Sequence, residues 1–594
     1  MPKLRIIDDE ILERPFDKGQ FLRLLAYLKP YTKEVVFALI IMVIAALASL
    51  ASPILFSYTV DEVIEAGRRE LLLPMIVLFV VITLIGAVCM RYRQRLMETA
   101  GRKAIAALRQ DLFNHIQKLS FSFFDTRSAG KIMVRVINDV NSLNDLVSNG
   151  IVNVIIDCLT LVIILVLMLT ANWKLSLISM SVLPLIAIMV LVLKRRMRVS
   201  WQKVRLKIST MNGYLHESLS GMRVTQSFVR ERVNNEIYTD INDDIRSSWM
   251  RAIRINAFFW PGLDITGTLG TVLVYIFGVM MAQNSDSGVT VGSLLLLIWY
   301  IGRFWEPINT LSNFYNSVLT AMASMERIFE ILDTPIAIAS PEGAQPIPPI
   351  EGRVDFNNVT FSYDAEKVVL RDVSFTVEPG QTIALVGPTG AGKSTVVNLI
   401  SRFYDVTGGA VCVDGHDIRD VDLRSLRQQM SVMMQDSFIF SGTIMDNIRY
   451  GRLNATDEEV MEAAKAVGAH DFIEAMERGY KTEVNERGSR LSTGQKQLIS
   501  FARALLNDPR ILILDEATSS IDTPTELLIQ KALERLLVGR TSFIIAHRLS
   551  TIRRASCIMV VQDGKIAESG THDELMAQKS HYFDLCEAQY RYLE

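Results

Sequence analysis

The sequence predicts a membrane α-helical domain of six transmembrane helices with long cytoplasmic extensions, followed by an α/β P-loop domain. Three observations predict this fold class. The first half carries apolar runs long enough to cross a bilayer. The composition then changes after a proline-rich stretch, and a glycine-rich loop follows an apolar strand in the second half. With 49 % hydrophobic residues and a mean hydropathy of +0.25, the chain of 594 residues is apolar for its size.

Six segments reach the length that a bilayer requires, about 20 mostly apolar helical residues. These predicted spans are residues 35–56, 71–90, 151–170, 175–193, 257–282 and 291–323. Residues 1–333 are therefore the predicted transmembrane domain. Residues 334–352 are a proline-rich linker, and residues 353–594 form the second domain, in which strand-like runs alternate with helical stretches.

Basic residues predict the orientation of the spans, because cytoplasmic loops carry an excess of lysine and arginine. Seven such residues precede the first span, and the long stretches 91–150 and 194–255 are rich in them. The loop NSDSGVTV before the sixth span has none. Both termini and both long loops are therefore predicted to be cytoplasmic. The net charge of −2 argues against a nucleic-acid partner, and membrane lipid is expected around the spans.

The stretch GPTGAGKST lies between the apolar strand QTIALV and the helical VVNLISRF, which is the context of a P-loop. Phosphate oxygens must approach backbone N–H groups there, and the glycines leave room for that approach. Lys393 is predicted to reach the β- and γ-phosphates, and the Ser394 hydroxyl to bind Mg²⁺. The predicted ATP-binding residues of the loop are Gly387, Pro388, Thr389, Gly390, Ala391, Gly392, Lys393, Ser394 and Thr395.

Five residues elsewhere are predicted to complete the site. Asp515 ends the apolar strand ILILD, where its carboxylate can hold Mg²⁺ through water. The next residue, Glu516, is the predicted general base, and His547 is predicted to orient the attacking water. Gln435 offers an uncharged oxygen to Mg²⁺ or water. Tyr363 is predicted to stack on adenine, with a buried core aromatic as the alternative.

These motifs resemble, in order and spacing, those of an ABC ATPase: Tyr363, GPTGAGKST, Gln435, LSTGQ, LDEATSSID and AHRLS. Together with the six preceding spans, they resemble an exporter-type half-transporter, similar to one subunit of a bacterial heterodimeric multidrug exporter. Phe123–Val140 and Leu215–Glu231 look like the coupling regions of that family. The resemblance implies a multi-pass protein of a bacterial cytoplasmic membrane that uses ATP and Mg²⁺ to move a small molecule by alternating access.

The resemblance also implies a dimer in which each ATP lies between the P-loop of one chain and the signature loop of the other. The residues of this chain that would contact the partner's ATP are Ser492, Thr493, Gly494 and Gln495. Thr493 stands where the family has glycine, and a β-branched side chain restricts the backbone and adds bulk. We therefore expect a second, different half-transporter with a degenerate Walker B site as partner. A homodimer that tolerates threonine is the alternative.

The expected function is export of amphipathic or drug-like compounds. A lipid flippase and a siderophore importer on an exporter-like fold are the alternatives within transport. A nucleotide-gated channel or a membrane-anchored regulatory ATPase is the alternative from another class. The intact Glu516 and His547 argue against it, because a switch that only binds ATP needs no general base.

Two acidic residues fall within predicted spans, where a charge is costly and usually faces a cavity or a partner. Asp157 or Asp264 could meet a cationic substrate, or each could belong to a charge pair, for instance Asp264 with Arg303. Aromatic side chains of the last two predicted spans, with several methionines, could line an adaptable apolar cavity, or they could be interfacial anchors or packing. They are Phe258, Phe259, Trp260 and Trp305.

Overall fold

The computed structural model describes residues 17–283, 289–364, 367–435, 437–485, 488–515, 523–546 and 552–591. The chain divides into two compact units. The first consists of Gly130–Asp333 and the described residues up to Ile116. The second consists of Gln117–Ala129 and the described residues from Thr334 onward. The second unit therefore includes a short segment of the loop between the second and third predicted spans.

The described part of the chain before the linker is helical. Its helices, numbered along the chain, are α1 Lys18–Ala26, α2 Thr32–Tyr58, α3 Leu72–Ile116, α4 Phe121–Thr126, α5 Ala129–Val134, α6 Val140–Asp145, α7 Ile151–Ala171, α8 Trp173–Met180, α9 Leu183–Ser220, α10 Met222–Ser227, α11 Glu231–Ala257, α12 Phe259–Ala282 and α13 Val291–Asp333. Within the first unit α2 packs on α3, α9 on α11, and α7 on α13.

Four described helical stretches are long and apolar enough to cross a membrane: Lys29–Glu65, Arg69–Ile116, Asn153–Ala171 and Asp264–Met281. They overlap four of the predicted spans, and residues 291–323 lie within α13. The remaining predicted span, residues 175–193, is divided between α8 and α9. Pro184 is the cause, because it lacks an N–H and its ring clashes with the carbonyl four residues earlier, at Met180, where α8 ends.

A second proline lies inside α2 and is accommodated differently. Pro53 leaves the carbonyl of Ser49, four residues earlier, without its helical donor. The Arg303 guanidinium on α13 donates to this carbonyl at 2.9 Å, and the buried Tyr300 hydroxyl donates to the neighbouring carbonyl of Leu50 at 2.9 Å. The suggested pairing of Arg303 with Asp264 is therefore wrong: Arg303 binds backbone, since Pro53 has freed an acceptor.

Asp157 lies among polar groups of the same unit. Its carboxylate lies near the Thr310 hydroxyl, which donates to the Glu306 carbonyl at 3.1 Å, and close to the charges of Arg93 and Glu306. Arg93 in turn donates to the side-chain oxygen of Asn153 at 3.3 Å. This arrangement favours the charge-pair interpretation for Asp157. Asp264 is exposed on α12.

An ion cluster around the buried Asp139 joins the loop between the second and third predicted spans to α13. Asp139 accepts hydrogen bonds from Arg327 at 2.9 and 2.5 Å, from Arg135 at 3.0 Å and from Ser324 at 3.2 Å. Burial alone would raise the pKa of the Asp139 carboxyl, but the two arginines outweigh it and hold that pKa below its usual value. Asp139 is therefore ionised at neutral pH, and its ion pairs link the loop to α13.

The second unit combines sheets with short helices. Its strands are β1 Val354–Asp364, β2 Lys367–Val377, β3 Thr382–Val386, β4 Gly408–Val413, β5 His416–Asp417, β6 Met430–Met433, β7 Gly442–Thr443, β8 Glu483–Val484, β9 Ile511–Asp515, β10 Thr541–Ile545, β11 Cys557–Gln562 and β12 Lys565–Gly570. Its further described helices are α14 Lys393–Ile400, α15 Leu423–Gln428, α16 Ile444–Arg449, α17 Asp457–Ala466, α18 His470–Glu474, α19 Thr493–Asn507, α20 Thr523–Leu537, α21 His572–Gln578 and α22 His581–Arg591.

The central sheet has the order β12-β11-β3-β10-β9-β6, and only β12 is antiparallel to its neighbour. A second, antiparallel sheet has the order β2-β1-β4-β5. Alternate residues of the central strands enter two separate cores: Leu512 and Leu514 pack among the helices, whereas Ile511 and Ile513 face the second sheet. Both faces are thus covered, as a parallel sheet requires.

Candidate nucleotide-binding site

The P-loop connects β3 to α14, and its glycines serve different purposes. Gly387, Gly390 and Gly392 all have positive φ, at 142°, 84° and 110°. A Cβ on Gly387 would lie 2.1 Å from the carbonyl oxygen of Val561 on β11, and one on Gly392 would lie 2.8 Å from Leu370 on β2. At Gly390 there is open space. An unobstructed approach for phosphate therefore applies to Gly390, whereas the other two glycines let the loop pack on the sheets.

The Lys393 side chain lies along the loop that it follows. It is only 8 % exposed, and its ammonium donates to the carbonyls of Gly387 at 2.7 Å and Pro388 at 3.0 Å. Burial lowers the pKa of Lys393, while the negative charge of Asp515 acts in the opposite direction. The ammonium is thus held over the loop by carbonyls that a phosphate could replace as partners. Ser394 beside it is exposed.

Tyr363, near the end of β1, connects to the same helix. Its hydroxyl lies 3.1 Å from the hydroxyl oxygen of Thr395, which is buried in the first turn of α14. The Tyr363 ring remains 45 % exposed. A core aromatic would be covered, so this exposure favours the predicted role as a surface on which adenine can stack.

Asp515 and Gln435 follow neighbouring strands of the central sheet. Asp515 is the last residue of β9, after four buried residues, and Gln435 lies two residues beyond β6. Both line a cavity of about 30 Å³, together with Gln497 of α19. Among the described residues, the Gln497 side-chain oxygen is buried there without a hydrogen-bond partner. A space of this size can hold a water molecule, which would satisfy that oxygen.

The two predicted catalytic residues, Glu516 and His547, lie outside the described residues. Each of them follows a strand that the structure describes. Asp515 pairs in register with Ile545 on the adjacent parallel strand β10. Glu516 follows the first residue of this pair directly, and His547 comes two residues after the second. Their roles as general base and as orienting group stay predictions.

The signature loop forms the start of α19. Ser492 is its N-cap: its hydroxyl accepts from the Gln495 backbone N–H at 3.2 Å, and the Gln495 side chain accepts from the Ser492 N–H at 2.9 Å. Thr493 is the first helical residue and is exposed, and Gly494 is buried. A threonine is not strained in that position, so any weakening of a nucleotide contact comes from the bulk of Thr493 and not from its backbone.

The donor set fits Mg²⁺ held mainly by a nucleotide. Among the described residues there is no cluster of three or more His, Cys, Asp or Glu side chains that could bind a metal alone. Mg²⁺ is commonly bound by one or two carboxylates plus substrate phosphates and waters. Asp515, Ser394 and Gln435 provide one carboxylate and two neutral oxygens at the ends of adjoining elements. These are the residues that would hold the ion.

Sequence reasoning missed three residues close to this site. Gln497 occupies the cavity beside Asp515. Tyr404 packs edge-on against Tyr363, and its hydroxyl donates to Asp125 of α4. No local motif marks Gln497 or Tyr404. The resemblance of Phe123–Val140 to a coupling region covers Asp125 but does not predict its contact with Tyr404, because the two segments are distant in sequence.

Comparisons with known proteins agree with the fold. Residues 35–307 match the family description "ABC transporter transmembrane region", and residues 370–519 match "ABC transporter". The chain is 46 % identical to the Bacillus subtilis "Uncharacterized ABC transporter ATP-binding protein YknV", over 98 % of this chain and 96 % of that protein. It is 39 % identical to the "Putative multidrug export ATP-binding/permease protein YgaD" of the same organism, over 95 % and 98 %.

Further relatives extend the range of named functions. The "ATP-dependent lipid A-core flippase" of Syntrophus aciditrophicus is 35 % identical, over 96 % of this chain and 94 % of that protein. The solved structure of a bacterial Atm1-family ABC exporter with ATP bound superposes with a TM-score of 0.77 at 28 % identity, covering 94 % and 98 % of the two chains.

A helical membrane unit followed by an α/β P-loop unit defines an ABC exporter, an ATP hydrolase coupled to transport. The chain belongs to the ABC transporter family. This confirms the predicted fold class and the resemblance on which the predicted activity rests.

Proposed function

We propose that this chain is one half of a heterodimeric exporter that uses ATP to move amphipathic or drug-like compounds out of a bacterial cell. The observation that carries the proposal is the contrast between two loops of the same unit. The P-loop has the glycine geometry and the buried lysine that ATP binding needs, at Gly390 and Lys393. The signature loop instead places an exposed Thr493 at the start of α19.

In the proposed reaction, this chain grips ATP with its own P-loop. Lys393 leaves the two loop carbonyls for the phosphates, and the exposed Tyr363 ring stacks on adenine. Mg²⁺ held by Ser394, Gln435 and Asp515 neutralises phosphate charge. Glu516 accepts a proton from the attacking water, and His547 orients that water.

The second half of the nucleotide site comes from a partner. Exposed apolar side chains in both units support this: they are Leu219, Val224, Phe228 and Val229 around α10, and Phe438, Phe440, Tyr450 and Leu453 in the second unit. Contiguous apolar surface on a folded protein commonly marks an interaction site. Two such surfaces fit an assembly of two half-transporters better than a chain that works alone.

The substrate class rests on the apolar character of the first unit. The described cavity beside Met168, Met180 and Phe304 has about 20 Å³, enough for a water but not for a drug. We place the substrate surface between helices of both halves, where exposed apolar residues such as Phe258 and Ile265 are available. The side chains of Trp260 and Trp305 lie outside the described part of the structure.

Coexpression tests the heterodimer. The chain is produced with two different affinity tags, alone and together with the half-transporter from the adjacent reading frame. We expect each tag to recover the neighbouring half-transporter and not the second copy of this chain. Glu516→Gln in the purified pair should lower ATP turnover at least about 100-fold, because general-base catalysis contributes about 10²–10⁴.

Thr493→Gly distinguishes a homodimer from the proposed heterodimer. In a homodimer both hydrolytic sites contain Thr493, so the substitution should raise turnover several-fold. In the proposed heterodimer it should change only the amount of ATP retained at the partner's P-loop. Recovery of this chain with itself, active without any partner, would remove the heterodimer and leave the exporter.

A further inference from the structure

We propose that Gln497 of α19 is a positioning residue for ATP hydrolysis: through one water molecule it holds Asp515 and Gln435 in place for Mg²⁺. The inference deepens the proposed function and rests on it, because the roles of Asp515 and Gln435 toward Mg²⁺ belong to that proposal. All three residues lie in the second unit, and all three line the same cavity of about 30 Å³.

The cavity has apolar walls and a polar lining. Much of its wall consists of the buried side chains of Phe501, Leu514, Ile529 and Ile544. Its polar lining consists of Gln435, Ser437, Gln497 and Asp515. A polar atom that faces apolar walls without a hydrogen-bond partner costs free energy, and the low local dielectric strengthens any hydrogen bond that forms there. The cavity therefore favours a small polar ligand.

The side-chain amide of Gln497 is the group that needs this ligand. Within the described part of the chain, its oxygen is buried without a hydrogen-bond partner. A water molecule fits the volume and has enough polar neighbours to be held, since a buried water makes about three hydrogen bonds. It can donate one O–H to the Gln497 oxygen and the other to the Asp515 carboxylate. Its own oxygen can accept from the amide N–H of Gln435, which leaves the Gln435 oxygen for Mg²⁺.

Hydrogen bonds at the C-terminal end of α19 fix the helix beside the cavity. Asn507 donates to the carbonyl of Met430 on β6 at 3.3 Å. Arg503 donates to the carbonyl of Phe438, three residues after Gln435, at 3.1 Å. The helix is thus tied both to the strand that precedes Gln435 and to the segment that follows it. A group on such a rigid element can hold metal ligands in a precise orientation.

The dependence of nucleotide binding on Mg²⁺ tests this role without turnover. The full-length transporter in nanodiscs carries Glu516→Gln, which prevents hydrolysis, and the binding of a fluorescent ATP analogue is titrated with free Mg²⁺. Gln497→Met keeps the length of the side chain but removes its oxygen. We expect it to raise the half-maximal Mg²⁺ concentration about tenfold or more, because partners that orient metal ligands contribute about 10–100-fold. Affinity for the analogue without metal should change less than about twofold.

Gln497→Ala separates a water-mediated role from packing. The smaller side chain leaves room for a second water in place of the lost oxygen, so it should raise the Mg²⁺ concentration less than Gln497→Met does. A residue that only fills space would give the reverse order, because methionine fills the site and alanine leaves a cavity. Gln530→Met on α20, one residue after Ile529 of the cavity wall, is the matched control and should leave the Mg²⁺ dependence unchanged.

The inference is overturned if Gln497→Met leaves the Mg²⁺ dependence unchanged, or if Gln497→Ala raises the Mg²⁺ concentration more than Gln497→Met does. Asp515→Asn shows which proposal has failed. If Asp515→Asn raises the required Mg²⁺ concentration and Gln497→Met does not, the proposed Mg²⁺ site stands and the inference about Gln497 is wrong. If neither variant raises it, the proposed role of Asp515 is wrong, and the inference is wrong with it.

Discussion

At the residue scale, the P-loop glycines occupy two kinds of environment. Gly387 faces the backbone of β11, where the Val561 carbonyl would overlap an added Cβ. A main-chain atom inside a central sheet cannot move aside as a flexible side chain can. Gly390 has open space around it, and only its positive φ of 84° opposes a side chain.

Gly387→Ala should therefore damage the fold of the second unit as well as ATP binding. The overlap and the positive φ together should lower the free energy of unfolding by about 2–4 kcal/mol. Thermal unfolding of the full chain in detergent, followed by circular dichroism, measures this loss. The purified variant should also fail to hydrolyse ATP.

Gly390→Ala is the matched control in the same loop. Its cost should be about 1 kcal/mol, from the left-handed backbone alone. Equal losses of stability for the two variants would contradict the assignment of Gly387 to packing and of Gly390 to phosphate approach.

Motifs predict which residues form the nucleotide site but not all that they do. The signature motif assigns Ser492 and Gln495 to contact with ATP, yet they also cap α19 reciprocally. From the same motif we expected the β-branched Thr493 to restrict the backbone unfavourably. Thr493 is the first residue of α19, where its backbone is helical and not strained. Both differences arise because a linear motif records residue types, whereas backbone conformation depends on the helix that the loop begins.

At the element scale, a proline within α2 explains an arginine within α13. Pro53 withdraws a donor from the carbonyl of Ser49, and Arg303 supplies one. In hydrocarbon no water can replace that donor, so an unpaired carbonyl is costly there. The effects of substituting Pro53 and Arg303 on the free energy of unfolding should therefore be coupled, although the two residues lie on different helices.

Restoring the helical donor should make the arginine less important. Arg303→Met alone leaves the Ser49 carbonyl unpaired and should cost about 1–3 kcal/mol. In a Pro53→Ala background, the new alanine donates its own N–H to that carbonyl. The cost of Arg303→Met in free energy of unfolding should then be less than about half of its cost when Pro53 is present. Thermal unfolding of the four proteins, monitored by size-exclusion chromatography in detergent, gives the coupling.

Additive losses would contradict this dependence and would indicate that Arg303 acts elsewhere, for instance on a substrate. Tyr300→Phe provides the comparison. Its hydroxyl donates to Leu50, whose own helical donor, the N–H of Ile54, is retained. Its effect should therefore be the same with and without Pro53.

Hydropathy predicts the long helices because their apolar runs are continuous, but not how they break or where their ends dock. The division between α8 and α9 is available from Pro184 in the sequence. The inclusion of α4 in the second unit is not, because it rests on Tyr404 and Phe403, more than 270 residues away in the chain.

At the scale of the whole molecule, the distribution of charge predicts which side of the membrane each loop occupies. The long loops are basic, and the short stretch ANWK between the third and fourth predicted spans carries one lysine. Two exposed side chains are predicted to lie on opposite sides of the membrane. Lys174 lies at the start of α8, and Arg232, whose side chain is 92 % exposed, lies in the first turn of α11.

Cysteine labelling tests this orientation because both positions accept a reagent without disturbing a core. In a variant without the five native cysteines, Lys174→Cys should react with a membrane-impermeant maleimide in intact cells. Arg232→Cys should react only after the cells are permeabilised, because positive residues hold its loop in the cytoplasm. The reverse pattern would invert the protein and place the P-loop outside, where no ATP is available to it. The labelling pattern therefore tests a condition that ATP-driven transport requires: the nucleotide-binding unit must face the cytoplasm.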